Sequence, residues 1–208
     1  MITRLFAPLL VLATLGPVAD HESGLPAGDG TVRYDLSLLP ESRIWFEGGS
    51  TVRGFTCESK GFGAEIRAQS NAVELAVATL QDLIEQVVVR VPVQTIDCGN
   101  GTMNDHMRKA LQATEHPEIE FRLDAYDVAP NPDGTAAIEM RGTLTIAGAM
   151  KPVTIAAEAA VEEGGRLMVR GSHEIDMTEY GVKPARLMLG TLKVHDNVTV
   201  HFEMALTK

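Results

Sequence analysis

The sequence predicts an all-β fold, an antiparallel β-barrel that carries one short α-helix, and three observations support this prediction. From residue 31 onward, short stretches of alternating apolar and polar residues follow one another with turn residues between them, which is typical of a sandwich or a barrel. The apolar faces contain many alanines and glycines, which favours a barrel with open interior volume. Because alanine also occurs where backbones pack closely, a solidly packed interior stays an alternative. A single helical pattern interrupts the strands.

The predicted strands cover most of the chain after residue 31. Their approximate ranges are 32–38, 42–47, 51–57, 62–68, 72–78, 86–96, 117–127, 136–147, 152–162, 166–176 and 194–206. Turn residues separate them, for example at Gly48-Gly49 and Pro132-Asp133-Gly134. Residues 80–85 could instead form a helical turn. The small residues on the predicted apolar faces are Ala64, Ala68, Ala125, Gly142, Ala157, Ala159 and Gly171.

The helical pattern lies between two strands and is expected to close one end of the barrel. Thr102 is the predicted N-cap, and Asp105 stands in the capping-box position. Met103, Met107 and Leu111 follow helical spacing and form one apolar stripe. Pro117 is expected to stop the helix. We therefore predict a helix over about residues 103–113.

The first residues resemble a targeting segment. Arg4 precedes a mostly apolar run of signal-peptide length that ends at Ala19. We predict a signal peptide over residues 1–19, cleaved near residues 16–19, then a linker (20–30) and a barrel domain (31–208), and hence a periplasmic or secreted protein. A disordered apolar N-terminus is the alternative.

Composition excludes some functional classes. The net charge is −10 without a basic patch, which argues against a nucleic-acid partner. No later segment is long and apolar enough to predict a stable membrane span. The six histidines lack the spacing of a metal motif, so no metal site is predicted. No nucleophile or nucleotide-binding motif is present, which favours a binding protein over an enzyme.

The two cysteines, Cys57 and Cys98, predict one disulfide in an oxidising compartment. Two unpaired buried thiols are the alternative. The chain has no Cys-x-x-Cys sequence, so the pair does not indicate a redox motif.

Three segments of the chain resemble motifs of the YceI-like family, in the same order. The family's central motif, an Ile-Asp-x-Gly-Asn turn, a helix and a Pro-x-Ile-x-Phe strand, resembles residues 96–121 (IDCGNGTMNDHMRKALQATEHPEIEF). Its hairpin with Lys-Pro-Val resembles residues 142–155 (GTLTIAGAMKPVTI). Its closing segment resembles residues 178–202 (TEYGVKPARLMLGTLKVHDNVTVHF). Residues 43–55 (RIWFEGGSTVRGF) match the family's phenylalanine- and histidine-containing strand only in part.

The resemblance implies an extended, lipocalin-like antiparallel β-barrel that binds a polyisoprenoid chain, such as that of an isoprenoid quinone, in a periplasmic or secreted protein. Cys98 stands where many members have threonine, which suggests a cysteine-containing, divergent branch of the family. No cofactor is required on this interpretation, although a bound isoprenoid lipid or quinone is compatible with it. A homodimer is left open.

An apolar ligand needs apolar walls, with polar groups only near the mouth. The predicted wall and lid residues are Phe62, Ile66, Met103, Met107, Leu111, Phe121, Leu123, Met140, Leu144, Ile146 and Val169. By alternation, His173 and Asp196 also fall on apolar faces, and they are predicted as polar groups inside the barrel. A strand bulge that turns them outward is the alternative. Two other functions stay open: a hydrolase or isomerase on the same barrel, and a ligand-free structural or interaction module.

Overall fold

The structure is a computed structural model that describes residues 32–70, 76–184, 186–187 and 192–208. The predicted signal peptide and linker lie outside the described residues, as do residues 72–75 of one predicted strand. The described strands are β1 (Val32–Leu38), β2 (Arg43–Ser50), β3 (Gly54–Ser59), β4 (Gly63–Ser70), β5 (Ile84–Pro92), β6 (Ile96–Asp97), β7 (Glu118–Pro130), β8 (Thr135–Ile146), β9 (Ala149–Glu162), β10 (Arg166–Asp176), β11 (Arg186–Leu187) and β12 (Leu192–Thr207). The described helices are α1 (Gly101–Ala110) and three 3-10 helices, Val77–Asp82, Val93–Thr95 and Met177–Tyr180.

The strands form a closed antiparallel barrel, as the sequence predicts. β1 continues into β2, β3 into β4 and β5 into β6, so these six segments act as three long bent strands. Together with β7, β8, β9, β10 and β12 they make eight strands that pair in chain order. The long β12 closes the barrel because it pairs with β2 along most of its length and with β1 at Leu206 and Thr207.

The bends between the paired segments are stabilised by hydrogen bonds. At the β1–β2 bend, the backbone N–H of Leu39 donates to the carbonyl of Ala205 (2.8 Å), and the backbone N–H of Ala205 donates to the Ser42 hydroxyl (3.0 Å). At the other two bends, the Thr95 hydroxyl lies 2.7 Å from the carbonyl oxygens of both Gly61 and Pro92. These contacts satisfy backbone groups that the bends remove from the ladder.

A bulge in β7 reverses the predicted orientation of its second half. The register between β7 and β8 shifts between Leu123 and Ala125, and one extra residue moves all later side chains to the opposite face. Ala125, predicted to point inward, is exposed, whereas Tyr126 faces the interior. The prediction for Ala125 is wrong for this reason.

Two of the predicted small inward residues make room for phenylalanine rings. A Cβ atom on Gly142 would lie 2.7 Å from the ring of Phe121, and one on Gly171 would lie 2.6 Å from the ring of Phe202. Aromatic side chains that cover a glycine on a neighbouring strand are a known way to fill such positions. The volume at these glycines is therefore occupied, and they do not contribute open interior space.

Helical segments cover both ends of the barrel. At one end, named here the helix end, α1 and the 3-10 helix Met177–Tyr180 pack on the apolar side chains that line the strand ends. At the other, named the opposite end, the 3-10 helix Val77–Asp82 places Leu80 in a cluster with Leu36 and Leu206. This second helix corresponds to the helical turn considered for residues 80–85, and it replaces the end of the predicted strand 72–78. None of the helices in the described part is long and apolar enough to cross a bilayer.

The helix α1 begins and ends earlier than the sequence predicts. Its N-cap is Asn100, whose side-chain oxygen accepts a hydrogen bond from the N–H of Met103 (3.1 Å), and not Thr102. It ends at Ala110, and Gln112 then adopts a positive φ of 53°. Pro117 lies too far along the chain to be the stop. Residue Asn104 explains the early start, because its side chain bonds back to residues that precede the helix.

These contacts organise the entrance of α1. The Asn104 side chain accepts a hydrogen bond from the N–H of Cys98 (2.8 Å) and donates one to the carboxylate of Asp97 (2.9 Å). The N–H of Gly99 donates to the same carboxylate oxygen (2.9 Å). The hydrogen bond from Asn104, followed by that from Gly99, holds the pKa of Asp97 below its usual value.

The predicted disulfide is confirmed. Cys57 in β3 and Cys98 at the entrance of α1 are joined, with an S–S distance of 2.02 Å. Cys57 is only 1% exposed and packs with Val91 and Ile96. The bond therefore fastens the start of α1 to the barrel wall.

Candidate functional site

The barrel encloses an elongated cavity of about 250 Å³. Its lining residues on β10 run from Leu167 to Ile175, which corresponds to about 26 Å along a strand and, with the usual tilt, to roughly 20 Å along the barrel axis. The volume lies just below the roughly 300–1,000 Å³ of typical small-molecule pockets. A small volume over this length describes a slender tunnel, which suits an extended chain better than a compact ring system.

The wall of the cavity is almost entirely hydrocarbon. Lys, Arg, Asp and Glu do not occur among the described residues that line it. Two hydroxyls in the wall already have partners: Tyr126 donates to the carbonyl of Leu80 (2.7 Å) and accepts from the N–H of Ile84 (2.9 Å), and Ser59 donates to the carbonyl of Gly61 (2.8 Å). Trp45 also borders the cavity, but its ring stacks on His201 at 5.2 Å and under the guanidinium of Arg43.

His173 is the remaining polar side chain in the wall, and none of the described residues forms a hydrogen bond or ion pair with it. It lies beside Val200 in the β10–β12 ladder. Burial lowers the pKa of His173 below its ordinary value because a charged imidazolium is poorly solvated there. At neutral pH the ring is therefore uncharged and offers one N–H donor and one nitrogen acceptor.

A sequence model of the YceI-like domain matches residues 41–206 of the chain, which is most of its length. The chain belongs to the YceI-like family. The predicted family membership and the predicted lipocalin-like barrel are both confirmed. No curated protein sequence matches the chain significantly.

Solved structures with the same fold include three that illustrate the range of this YceI-like barrel. Burkholderia cenocepacia BcnA has a TM-score of 0.64 at 20% identity, with 80% of this chain and 96% of that one covered. The Campylobacter jejuni YceI protein has a TM-score of 0.55 at 19% identity, with coverages of 73% and 84%. A polyisoprenoid-binding domain from Saccharophagus degradans, implicated in plant cell wall breakdown, has a TM-score of 0.61 at 14% identity, with coverages of 83% and 96%. At these identities the similarity establishes the fold.

Seven of the eleven predicted wall and lid residues line the cavity of this YceI-like barrel. They are Ile66, Phe121, Leu123, Met140, Leu144, Ile146 and Val169. Their contact with a ligand stays a prediction. In each case the alternation of inward and outward side chains along the strand is uninterrupted up to that residue.

The other four predicted residues, Phe62, Met103, Met107 and Leu111, do not line the cavity. They pack around Cys57, Val91 and Ile96, and of these Val91 and Ile96 face the interior. At the helix end, a layer of strand residues that includes Val91 and Ile96 therefore lies between α1 and the tunnel. The helix packs on the outer side of this layer, which separates Met103 and Met107 from the tunnel.

The prediction that Asp196 lies inside the barrel is wrong. The register between β12 and β2 shifts between Val194 and Val198, so the simple alternation does not hold there. The side chain of Asp196 is 43% exposed and lies 3.5 Å from the ammonium group of Lys193. Among the described residues, no group of three His, Cys, Asp or Glu side chains could hold a metal ion.

Several wall residues are not among the predicted ligand-binding residues, although alternation places Ile155 and Val200 on apolar faces. They include Ile44 and Phe46 on β2, Tyr126 on β7, Ile155 on β9, and Val200, Phe202 and Met204 on β12. The β12 residues follow a regular alternation that could have identified them. Tyr126 could not be found in this way because the bulge in β7 precedes it.

Proposed function

We propose that this protein is a binding protein that holds an apolar, polyisoprenoid-like chain in the barrel interior. The observation that carries the proposal is the shape and chemistry of the tunnel, which is slender and lined by hydrocarbon without charged side chains among the described residues. Such a wall offers burial of apolar surface and few hydrogen bonds, which is what an isoprenoid lipid or the tail of an isoprenoid quinone requires. The polyisoprenoid binding named for the Saccharophagus degradans domain supports this choice of ligand class.

The energetics make chain length the main determinant of affinity. Each buried methylene contributes about 0.8 kcal/mol, or roughly a fourfold change in Kd. We therefore expect affinity to rise with the number of prenyl units until the tunnel is filled, and then to level off. A compact apolar molecule of equal carbon number would bind less tightly because it cannot extend along the tunnel.

A catalytic role has less support. The hydrolase or isomerase alternative would be favoured by ionisable groups grouped inside the barrel within reach of a substrate. Of the two polar groups predicted inside the barrel, His173 borders the tunnel and Asp196 lies outside it. A filled interior would favour a ligand-free module, but the described part of the barrel contains an open tunnel. Binding is the function that the geometry supports best.

We propose that the protein acts in the periplasm or outside the cell. The signal-peptide-like residues 1–19 support this location, and so does the Cys57–Cys98 disulfide, because such bonds are rare in the cytosol. Cell fractionation with N-terminal sequencing of the purified protein tests the proposal. An uncleaved N-terminus in the cytosolic fraction would contradict it.

The binding proposal is tested by extracting the protein, purified from its own host, into an apolar solvent and identifying the extract by mass spectrometry. Ala64→Leu, on the cavity wall, should reduce the amount of bound lipid because the larger side chain occupies tunnel volume that the ligand would otherwise fill. Ala137→Leu, the same substitution at an exposed position of β8, is the matched control and should leave the amount unchanged. Absence of any lipid, together with no binding of prenyl alcohols in titration, would refute the proposal.

A further inference from the structure

The ladder between β9 and β10 ends before either strand does. The two strands pair from Arg166 opposite Glu162 to Ser172 opposite Ala156. Beyond this point β9 pairs with β8 alone, back to Ala149, and β10 pairs with β12 alone, up to Asp176. The barrel wall therefore contains a gap between two strand segments, toward the helix end. Backbone groups along both edges of the gap have no ladder partner across it.

His173 is the first residue of β10 beyond the end of this ladder. Its side chain borders the tunnel together with Ile155 on the facing edge and Ile175 on its own strand. The imidazole is uncharged and has no partner among the described residues, as set out above. The gap is thus the place where an otherwise apolar tunnel presents an available hydrogen-bonding side chain.

The gap is covered by the segment that follows β10. Tyr180 and Val182 are 4% and 2% exposed and pack with Ile175 and Val198, with Val153 of β9 against the same cluster. The Asp176 side chain caps the 3-10 helix by accepting a hydrogen bond from the N–H of Thr178 (2.8 Å). A group bound beside His173 would therefore lie out of bulk water.

Charge restricts what can bind there. A buried anion without a cationic partner is costly, and the described lining residues include neither lysine nor arginine. An uncharged imidazole donates a hydrogen bond to a carbonyl or a hydroxyl without that cost. The chemistry of the gap therefore favours a neutral polar group over a phosphate or a carboxylate.

We propose that the ligand carries an uncharged, hydrogen-bonding head group, a hydroxyl or a carbonyl, which sits in the gap between β9 and β10 and bonds to the imidazole of His173. The apolar chain then extends along the tunnel toward Leu80 at the opposite end. This inference rests on the proposed function and adds the position and the charge of the head group. It separates prenyl alcohols and quinones from prenyl diphosphates as ligands.

The test uses three probes of one chain length, geranylgeraniol, geranylgeranyl diphosphate and the corresponding hydrocarbon, which displace a fluorescent apolar dye from delipidated protein. We expect the alcohol to bind about three- to tenfold more tightly than the hydrocarbon, as for one net hydrogen bond, and at least about tenfold more tightly than the diphosphate. His173→Leu should remove the preference for the alcohol and leave the hydrocarbon unchanged. His195→Leu replaces an exposed histidine on the neighbouring strand β12; it is the matched control and should leave all three affinities unchanged.

Two further measurements keep the test decisive. His173→Gln retains a donor and an acceptor and should restore part of the preference for the alcohol. In the unaltered protein, the imidazole ¹⁵N resonances of His173 should shift on binding of the alcohol and stay constant with the hydrocarbon. Equal binding of alcohol and hydrocarbon, a preference for the diphosphate, or an unaltered preference in His173→Leu would overturn the inference and leave the proposed function intact. Failure of all three probes to bind would overturn the proposed function itself.

Discussion

The two ends of the barrel are closed by different means, and the difference shows which closing segment forms part of the tunnel wall. At the helix end, α1 is joined to the wall by the Cys57–Cys98 disulfide and covers the tunnel from behind Val91 and Ile96. At the opposite end, the 3-10 helix Val77–Asp82 has no covalent tie, and its residue Leu80 itself lines the tunnel. The segment that closes the helix end therefore contributes to stability alone, whereas the segment that closes the opposite end contributes to stability and also forms part of the tunnel wall.

At the opposite end, hydrogen bonds of two polar side chains, Tyr126 of the wall and Gln81 of the 3-10 helix, hold the helix in place. The Tyr126 hydroxyl bonds the carbonyl of Leu80 and the N–H of Ile84, on either side of the turn. The side chain of Gln81 accepts a hydrogen bond from the N–H of Val128 (2.6 Å). Substitutions in the segment that closes the helix end should therefore change the free energy of unfolding alone. Substitutions of tunnel-lining residues at the opposite end should also change the preferred chain length of the ligand.

The largest effect is expected from removing the disulfide. In the chain-entropy model, closing the loop between Cys57 and Cys98, which are 41 positions apart in the sequence, contributes about 4 kcal/mol to the free energy of unfolding. Cys57→Ala combined with Cys98→Ala should lower that free energy by about this amount, measured by urea unfolding. Because neither cysteine lines the tunnel, lipid affinity of the folded variant should be unchanged. A change in chain-length preference would show that α1 itself contacts the ligand.

The next effect is expected at the opposite end, where two leucines form a matched pair. Leu80 and Leu83 are each 2% exposed and belong to one cluster, but only Leu80 borders the tunnel. Leu80→Ala and Leu83→Ala should each reduce the free energy of unfolding by about 3 kcal/mol, as for other buried leucines. Only Leu80→Ala should lengthen the tunnel and shift the optimum toward longer prenyl alcohols in titration. Equal shifts in the two variants would contradict the assignment of Leu80 to the wall.

A smaller loss should follow from Tyr126→Phe. Without the hydroxyl, the carbonyl of Leu80 and the N–H of Ile84 lose a partner, which costs about 1–3 kcal/mol for a buried group. Thermal and urea unfolding measure the loss. Tyr34→Phe is the control. Tyr34 packs against the cluster that contains Leu80, and its aromatic ring, which the ammonium of Lys208 contacts, is retained in the variant. Equal losses in both variants would indicate a general effect of removing a hydroxyl.

At the helix end, the N-cap provides a test that distinguishes the structure from the sequence pattern. Asn100→Ala should lower the free energy of unfolding by about 1 kcal/mol, since Asn100 accepts the hydrogen bond from Met103. Thr102→Ala, at the position that the capping pattern predicts, should change it by less than about 0.5 kcal/mol. The reverse order in urea unfolding would support a helix that begins two residues later.

The sequence predicts the direction of a side chain well where the local alternation alone determines it. The prediction is wrong where pairing with a neighbouring strand determines it. Uninterrupted alternation places seven wall residues correctly on the interior, and the cysteine count predicts the disulfide. Alternation is wrong for Ala125 and Asp196 because each lies beyond a register shift, and such a shift depends on the neighbouring strand. Gly142 and Gly171 show the same limit, because the phenylalanines that fill their space come from adjacent strands.

The smallest effect is expected from pH, near the helix end of the tunnel. Burial lowers the pKa of His173 in the folded state, so as the pH falls the unfolded chain binds this proton first. The free energy of unfolding should therefore decrease as the pH falls below about 6.5, the ordinary value for histidine, and stop decreasing below the folded-state pKa. Carboxylates whose pKa is lowered by hydrogen bonds, such as Asp97 and Asp176, act only at lower pH, below about 4. Urea unfolding between about pH 7 and about pH 5.5 should show a decrease that His173→Leu reduces and that Ala137→Leu, at an exposed position of β8, retains. An identical decrease in both variants would place the titrating group elsewhere.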